Sequence, residues 1–152
     1  MDTAEQRRRM VERHVEARGV HHPAVLEAMR RVPREAFLPP DLAEFAYEDT
    51  PLPIEEGQTI SQPFIVAAMA EALKLGPEDR VLEIGTGSGY AAAVLGEVAG
   101  EVYTVERHRL LAEQAESRLE SLGYHNVHVL CGDGTLGWPE QAPFDAILVS
   151  AG

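Results

Sequence analysis

Ten residues constrain this chain more than any others: Val81-Leu82-Glu83-Ile84-Gly85-Thr86-Gly87-Ser88-Gly89-Tyr90. Val81 to Ile84 reads as a short buried strand, and a helical segment, Tyr90 to Val98, follows almost at once. Three glycines at alternate positions separate the two. Glycine lets the backbone turn sharply and lets a ligand approach it closely. A second strand, Val102 to Val105, ends on Glu106, 21 residues beyond Gly85. At that spacing an acidic side chain at the tip of the second strand is placed to hydrogen-bond ribose hydroxyls. The pattern predicts a site for a nucleoside-containing ligand.

The register of the glycines narrows the ligand. A dinucleotide loop reads G-x-G-x-x-G, but Tyr90 stands where its third glycine belongs. Glu83 and Glu106 make the site acidic, which suits an ammonium, a sulfonium and a ribose better than two phosphates. The plainer alternative is that the glycines only form a strand-to-helix turn. A third strand, Val127 to Leu130, leads into Cys131-Gly132-Asp133-Gly134, and a fourth apolar run, Ala146 to Val149, follows Pro143-Phe144-Asp145. This order predicts an α/β fold, a doubly wound, mostly parallel sheet with right-handed crossovers. Ligands in such sheets sit beyond the carboxyl ends of the strands, where Gly85, Glu106 and Asp133 all fall. Asp133, lying between glycines, could equally serve as a turn former.

The remaining composition mostly excludes. Thirteen basic against 25 acidic residues give a formal charge of −12, which argues against a nucleic-acid partner. No apolar run approaches membrane-spanning length, and the N-terminus lacks the apolar segment of a secretory signal. The single cysteine, Cys131, rules out an internal disulfide and fits a reducing cytoplasm. It is expected to be a small buried residue rather than a nucleophile. The six histidines show no paired Cys/His spacing: His21-His22 precede Pro23 at a helix start, and His125 and His128 flank a strand, so no metal site is predicted.

Residues 3 to 31 read as a pair of packing helices, with apolar stripes Met10, Val11, Val15 and Val25, Leu26, Met29. Arg7 to Arg9 and Arg30-Arg31 read as solvated faces. Pro33, Pro39 and Pro40 break the chain, and residues 50 to 63 form a shaped loop or an irregular strand pair. Ser61 is a candidate N-cap for a helix over Pro63 to Leu73, whose expected inner face is Ile65, Met69 and Leu73.

The pattern E-x-G-x-G-x-G at 83 to 89 resembles the first motif of class I S-adenosylmethionine-dependent methyltransferases. Further elements make the resemblance narrower: Val32-Pro33-Arg34-Glu35-Ala36-Phe37, Pro51-Leu52-Pro53-Ile54, Gly57-Gln58-Thr59-Ile60-Ser61-Gln62-Pro63, Val81 to Tyr90, and Gly132-Asp133-Gly134. In order and spacing they are similar to the protein-L-isoaspartate O-methyltransferase family, from about residue 10 to the last residue. The G-Q-T-I-S-Q-P element is the specific part, since methyltransferases in general lack it. The resemblance implies a Rossmann-like methyltransferase fold with an N-terminal helical segment. It implies one domain over residues 1–152, with N-terminal helices and a substrate-side loop in 1–75 and the cofactor-binding half-sheet in 76–152. The implied reaction moves a methyl group from S-adenosyl-L-methionine to the α-carboxylate of L-isoaspartyl residues in damaged proteins and peptides, leaving S-adenosyl-L-homocysteine. The ester then closes to a succinimide, which reopens partly as aspartate.

The same resemblance assigns Ser61 as the catalytic residue. It assigns Thr59, Ile60, Glu83, Gly85, Thr86, Gly87, Ser88, Glu106, Arg107, Asp133 and Gly134 to cofactor binding, with Glu106 on the ribose and Asp133 on the adenine amine. Family members continue with further helices and strands, whereas this chain stops at Ser150-Ala151-Gly152. A sheet truncated after its fourth strand is therefore expected, its apolar edge open to self-association in an otherwise monomeric protein. Two alternatives stay open: a fragment that binds the cofactor without turnover, and a methyltransferase acting on another substrate. A nicotinamide oxidoreductase fits poorly, because Lys74, the sole lysine, lies upstream of the fold. An amino-group methyltransferase would want an Asn/Asp-Pro-Pro-aromatic run where Val149-Ser150-Ala151 stands.

Overall fold

The computed structural model describes residues 2–150. The chain end at Ala151-Gly152, to which the expected truncation refers, lies outside the described residues. Helix α1, Thr3–Met10, starts at Asp2, whose Oδ1 accepts the Glu5 N–H at 2.8 Å. It widens through Val11–Val15, tightens over Glu16–Arg18, and ends at Gly19, which takes a φ of 109°. Helix α2, Pro23–Arg31, is capped by the His22 ring, which accepts the Ala24 N–H at 3.2 Å. The two expected apolar stripes are buried. Arg7 is not a solvated residue: its Nε donates to the Tyr47 hydroxyl at 2.8 Å, and its guanidinium lies 3.2 Å from Glu35. A run of like charges cannot reveal which member meets a carboxylate brought from 28 residues away.

The connector forms a two-stranded antiparallel ribbon, β1 (Leu52–Pro53) and β2 (Thr59–Ile60), with Leu52 opposite Ile60. Helix α3, Pro63–Ala72, then begins one residue later than Ser61 could cap. Gln62 holds the cap position, and no side chain bonds the first turn. The inner face also differs from expectation. Val66, Ala67 and Ala70 are buried, whereas Ile65 is 41% exposed and Met69 and Leu73 are half-buried. The segment is apolar nearly all round, so periodicity cannot select a face. The small residues decide it, because they let α3 approach α2 and α4 closely.

The sheet contains β3 (Arg80–Ile84), β4 (Glu101–Glu106), β5 (Val127–Cys131) and β6 (Ala146–Val149). Their spatial order is β5-β4-β3-β6, and every pairing is parallel. The crossovers α4 (Tyr90–Val98) and α5 (Arg109–Ser121) cover one face together with α2, burying Val81, Val102, Leu95, Leu111 and Leu119. On the other face Leu82, Tyr103 and Val105 pack against Trp138 and Phe144. Trp138 meets Tyr103 edge-on at 5.4 Å and fills core, as expected. Among the described residues only 132–145, with two short 3-10 turns, cross this second face. Ile147 and Val149 on the outermost strand are therefore 58% and 59% exposed. Cys131 is exposed rather than buried, because it ends β5 at the opposite edge of the sheet. His128 lies within β5 rather than beside it, 2.7 Å from Glu101.

Where α4 returns to β4 the chain has no spare room. A Cβ on Gly100 would sit 2.9 Å from the Pro77 carbonyl oxygen and 3.2 Å from the Glu78 main chain. Main-chain atoms cannot swing aside as a side chain does, so Gly100→Ala is expected to destabilise the fold by about 1–3 kcal/mol. Urea unfolding monitored by circular dichroism reads this directly.

Candidate active site

Gly85, Gly87 and Gly89 have φ values of 95°, 56° and 95°. All three occupy the left-handed region that side-chain-bearing residues avoid, which explains their alternate spacing. Gly85 extends the sheet through its N–H, which donates to the Val105 carbonyl at 2.8 Å. Gly89 also lets α5 approach, since a Cβ there would lie 3.2 Å from that of Ala115. The turn leaves its main chain facing a cleft at the carboxyl ends of β3, β4 and β6.

Two carboxylates organise this cleft. Glu106 is 5% exposed; its Oε1 accepts the Gly87 N–H and its Oε2 the His108 N–H, both at 2.9 Å. It therefore braces the glycine turn against the end of β4. Glu83 is fully buried and accepts hydroxyl protons from Thr104 and Ser150, each at 2.7 Å. Thr86 and Thr104 share a hydrogen bond of 2.6 Å. With Glu83 ionised, Thr104 donates to it, so Thr86 must donate to Thr104. Burial pushes the Glu83 carboxyl up to about 7; the two hydroxyls pull it back, and Glu106 nearby adds to the rise.

The cleft has two compartments that share Gln58, Gly85 and Glu106. The wide one, about 350 Å³, lies against Ile84, Val105, Arg107, His108, Asp133 and Gly134. It falls in the range of pockets that hold small ligands, about 300–1,000 Å³. Asp133 is exposed; its Oδ1 accepts from the Thr135 N–H at 2.9 Å and hydroxyl at 2.8 Å, the turn-forming role noted above. These bonds hold its carboxyl below the usual range. Gly134 packs so tightly that a Cβ would lie 2.6 Å from Ile84 Cγ2. Arg107 is exposed at the rim.

The narrow compartment, about 50 Å³, is bounded by Glu83, Thr86, Gly87, Ser88 and Ser150 on the sheet side. Thr59, Ile60 and Ser61 of the ribbon close it from the other side. Every site residue expected from the sequence thus borders one compartment or the other. Sequence reasoning missed Gln58 at the junction, Thr104 and Ser150 on Glu83, and His108 on Glu106. Thr104 was the findable one, a hydroxyl inside the apolar run Val102 to Val105.

The sequence profile of the protein-L-isoaspartate(D-aspartate) O-methyltransferase family matches residues 5–152. The chain belongs to this family. It is 63% identical over 149 residues to protein-L-isoaspartate O-methyltransferase 1 of Geotalea uraniireducens, covering 98% of this chain and 68% of that one. It is 64% identical over 143 residues to the Pelobacter propionicus protein-L-isoaspartate O-methyltransferase 2, covering 94% and 64%. A solved protein-L-isoaspartate O-methyltransferase superposes with a TM-score of 0.84 at 37% identity, over 98% of this chain and 48% of that one. A Plasmodium falciparum structure described as a member of the same family, in complex with S-adenosyl-L-homocysteine, shares the fold at 24% identity with a TM-score of 0.77. It covers 95% of this chain and 73% of that one. The chain thus spans about two-thirds of its curated relatives' length, and the four-stranded Rossmann-like methyltransferase sheet is the portion in hand.

The raised Glu83 carboxyl has a consequence for stability. Between its ordinary value of 4.5 and about 7 the folded chain holds a proton that the unfolded chain has released. Stability therefore falls as pH rises through that window, and the loss is complete above it. Glu83→Gln is expected to flatten this limb relative to the unmodified chain when urea unfolding is compared at pH 5, 6, 7 and 8.

Proposed function

We propose that this chain transfers a methyl group from S-adenosyl-L-methionine to the α-carboxylate of L-isoaspartyl residues in damaged proteins and peptides, the step that initiates their repair. One observation carries this reading: the Thr59-Ile60-Ser61 ribbon borders the same narrow compartment as Glu83 and the glycine turn. Residues 1–152 then act as one methyltransferase domain, with 1–75 supplying the substrate side and 76–152 the cofactor side. The single cysteine fits a cytoplasmic setting, and the protein is read as a monomer, with self-association at the β6 edge only in a chain that truly stops there.

The residues present suit the cofactor. The wide compartment has the volume for an adenosine, and Gly134 leaves the approach to Ile84 free of a side chain. Each Glu106 oxygen holds one main-chain N–H and keeps a second lone pair for a ribose hydroxyl. Asp133 keeps one oxygen free for the adenine amine, with Arg107 at the rim. Glu83, Thr86 and Ser88 surround the end that receives the ammonium-bearing portion. This compartment, about 50 Å³, is the narrower of the two and is closed on its far side by Thr59, Ile60 and Ser61.

When bound, S-adenosyl-L-methionine would supply a sulfonium methyl to the carboxylate oxygen, the S–C electron pair returning to sulfur. The chain supplies placement. An isoaspartyl α-carboxylate, with a pKa of about 4, is already ionised at neutral pH, so no general base is required. Ser61 orients the carboxylate, and the ribbon excludes water from it. Such positioning contributes roughly 7–11 kcal/mol in favourable cases.

The decisive experiment is calorimetric titration with S-adenosyl-L-homocysteine, followed by tritiated-methyl transfer to an isoaspartyl peptide and its aspartyl counterpart. Binding with transfer to the isoaspartyl peptide alone supports the proposal. Binding without transfer selects a cofactor-binding module, and absence of binding overturns the reading. Glu106→Ala is expected to weaken S-adenosyl-L-homocysteine binding by roughly 1.5–3 kcal/mol, the worth of a hydrogen bond to a charged group. Ser61→Ala should lower transfer by roughly 10- to 100-fold on the same scale, read as initial rate at saturating cofactor.

A further inference from the structure

Arg34 has no exposed surface, and carbonyl oxygens rather than carboxylates meet its guanidinium. Nη1 donates to the Ala46 carbonyl at 2.6 Å and the Glu48 carbonyl at 3.4 Å. Nη2 donates to the Thr50 carbonyl at 3.2 Å and the Ser61 carbonyl at 3.1 Å, while Nε has no partner among the described residues. Burying a cation this deeply is costly, and carbonyl dipoles offset the cost only if all of them stay in place.

The positions of these carbonyls give the arrangement its meaning. Thr50 lies just before β1, and Ser61 directly follows β2. A single nitrogen therefore closes the base of the ribbon. With two residues per strand, the ribbon is too short to hold its own geometry. Its tip includes Glu56 in the left-handed region, at φ 61° and ψ 28°. Among the described residues its carboxylates make two loose contacts with basic side chains, Glu55 with Arg118 and Glu56 with His108, each at 3.8 Å.

Arg34 is also referenced to the opposite wall of the site. Its guanidinium carbon lies 5.7 Å from the centre of the Tyr90 ring, which Phe37 of the same short turn meets edge-on at 5.8 Å. Tyr90 is the first residue of α4 after the glycine turn. The ribbon base and the start of α4 thus share one fixed point.

We propose that Arg34 is the positioning residue of this site, a clip that sets Thr59, Ile60 and Ser61 at a defined distance from the glycine turn. Its consequence for turnover rests on the methyl-transfer reading; the clip itself does not. Lysine keeps the charge, but its one nitrogen cannot meet all four carbonyls that Arg34 divides between Nη1 and Nη2. In Arg34→Lys, hydrogen exchange at amides 54–61, including the Ile54 N–H bonded to the Gln58 carbonyl, should accelerate at least tenfold. Sheet amides such as Val102 should stay within twofold. The kcat for methyl transfer should fall at least tenfold, and the KM for cofactor should rise as Thr59 and Ile60 lose their fixed position.

Unchanged exchange at 54–61, or acceleration spread evenly over ribbon and sheet, overturns the proposal. If the exchange pattern appears but neither chain transfers methyl, the clip stands and the methyl-transfer reading fails. Should the lysine variant not fold, through-hydrogen-bond NMR couplings from the Arg34 guanidinium to the Thr50 and Ser61 carbonyl carbons decide in the unmodified chain. Their presence supports the clip, and their absence overturns it.

Discussion

The hydrogen bond from the Gly87 N–H to Glu106 ties together everything else in the cleft. It joins the turn that follows β3 to the end of β4, so the two carboxyl strand ends keep a fixed separation. The turn can take this path only because three of its five residues adopt left-handed backbone conformations. Once the turn is held, α4 leaves it in one direction and the cleft opens in the other. Glu106 is thus a structural brace and a candidate ligand at once, which is feasible because a carboxylate has more lone pairs than the two amides consume.

A second economy appears at Glu83. A buried carboxylate is tolerated when its oxygens are hydrogen-bonded, and Thr104 and Ser150 provide that from the neighbouring strands on either side. The chain of hydroxyls continues to Thr86 in the turn, so with Glu83 ionised the donor order runs from Thr86 through Thr104 to the carboxylate. The cleft is therefore acidic and polar on its sheet side. The ribbon side contributes Ile60 and the Ser61 hydroxyl and has no carboxylate of its own at the narrow compartment. An anionic substrate approaching from the ribbon and a cationic cofactor seated on the sheet fit this polarity.

The two walls differ in how they are held. The sheet wall rests on four parallel strands and two helices whose apolar residues form the main core. The ribbon wall is a two-pair hairpin held at its base by a buried arginine. A rigid floor below a locally anchored cover is what a small narrow compartment needs if a bulky ligand is to enter it and water is then to be kept out.

The four strands to within a residue at each end, α4, the glycine turn and the acidic residue closing β4 were legible in the sequence, and the strand pair before α3 was one of two readings left open. Each depends on local chemistry: apolar runs, left-handed glycines and fixed spacing within one strand-turn-helix unit. The family was legible too, because its motifs are contiguous. The buried face of α3, the role of Ser61 at its start, the exposure of Cys131 and the partners of Arg7 were not. These depend on which surface a segment meets, and a uniformly apolar helix or an edge strand carries no internal record of that. Thr104, Ser150 and Arg34 belong to the same class, since their partners lie 21, 67 and up to 27 residues away. The sequence by itself determined a parallel sheet with an acidic, glycine-lined turn at the carboxyl ends of its strands. Tertiary structure alone decided how the Ser61 ribbon is brought to that site and held there, because the holding interactions run through main-chain carbonyls, which every residue possesses alike.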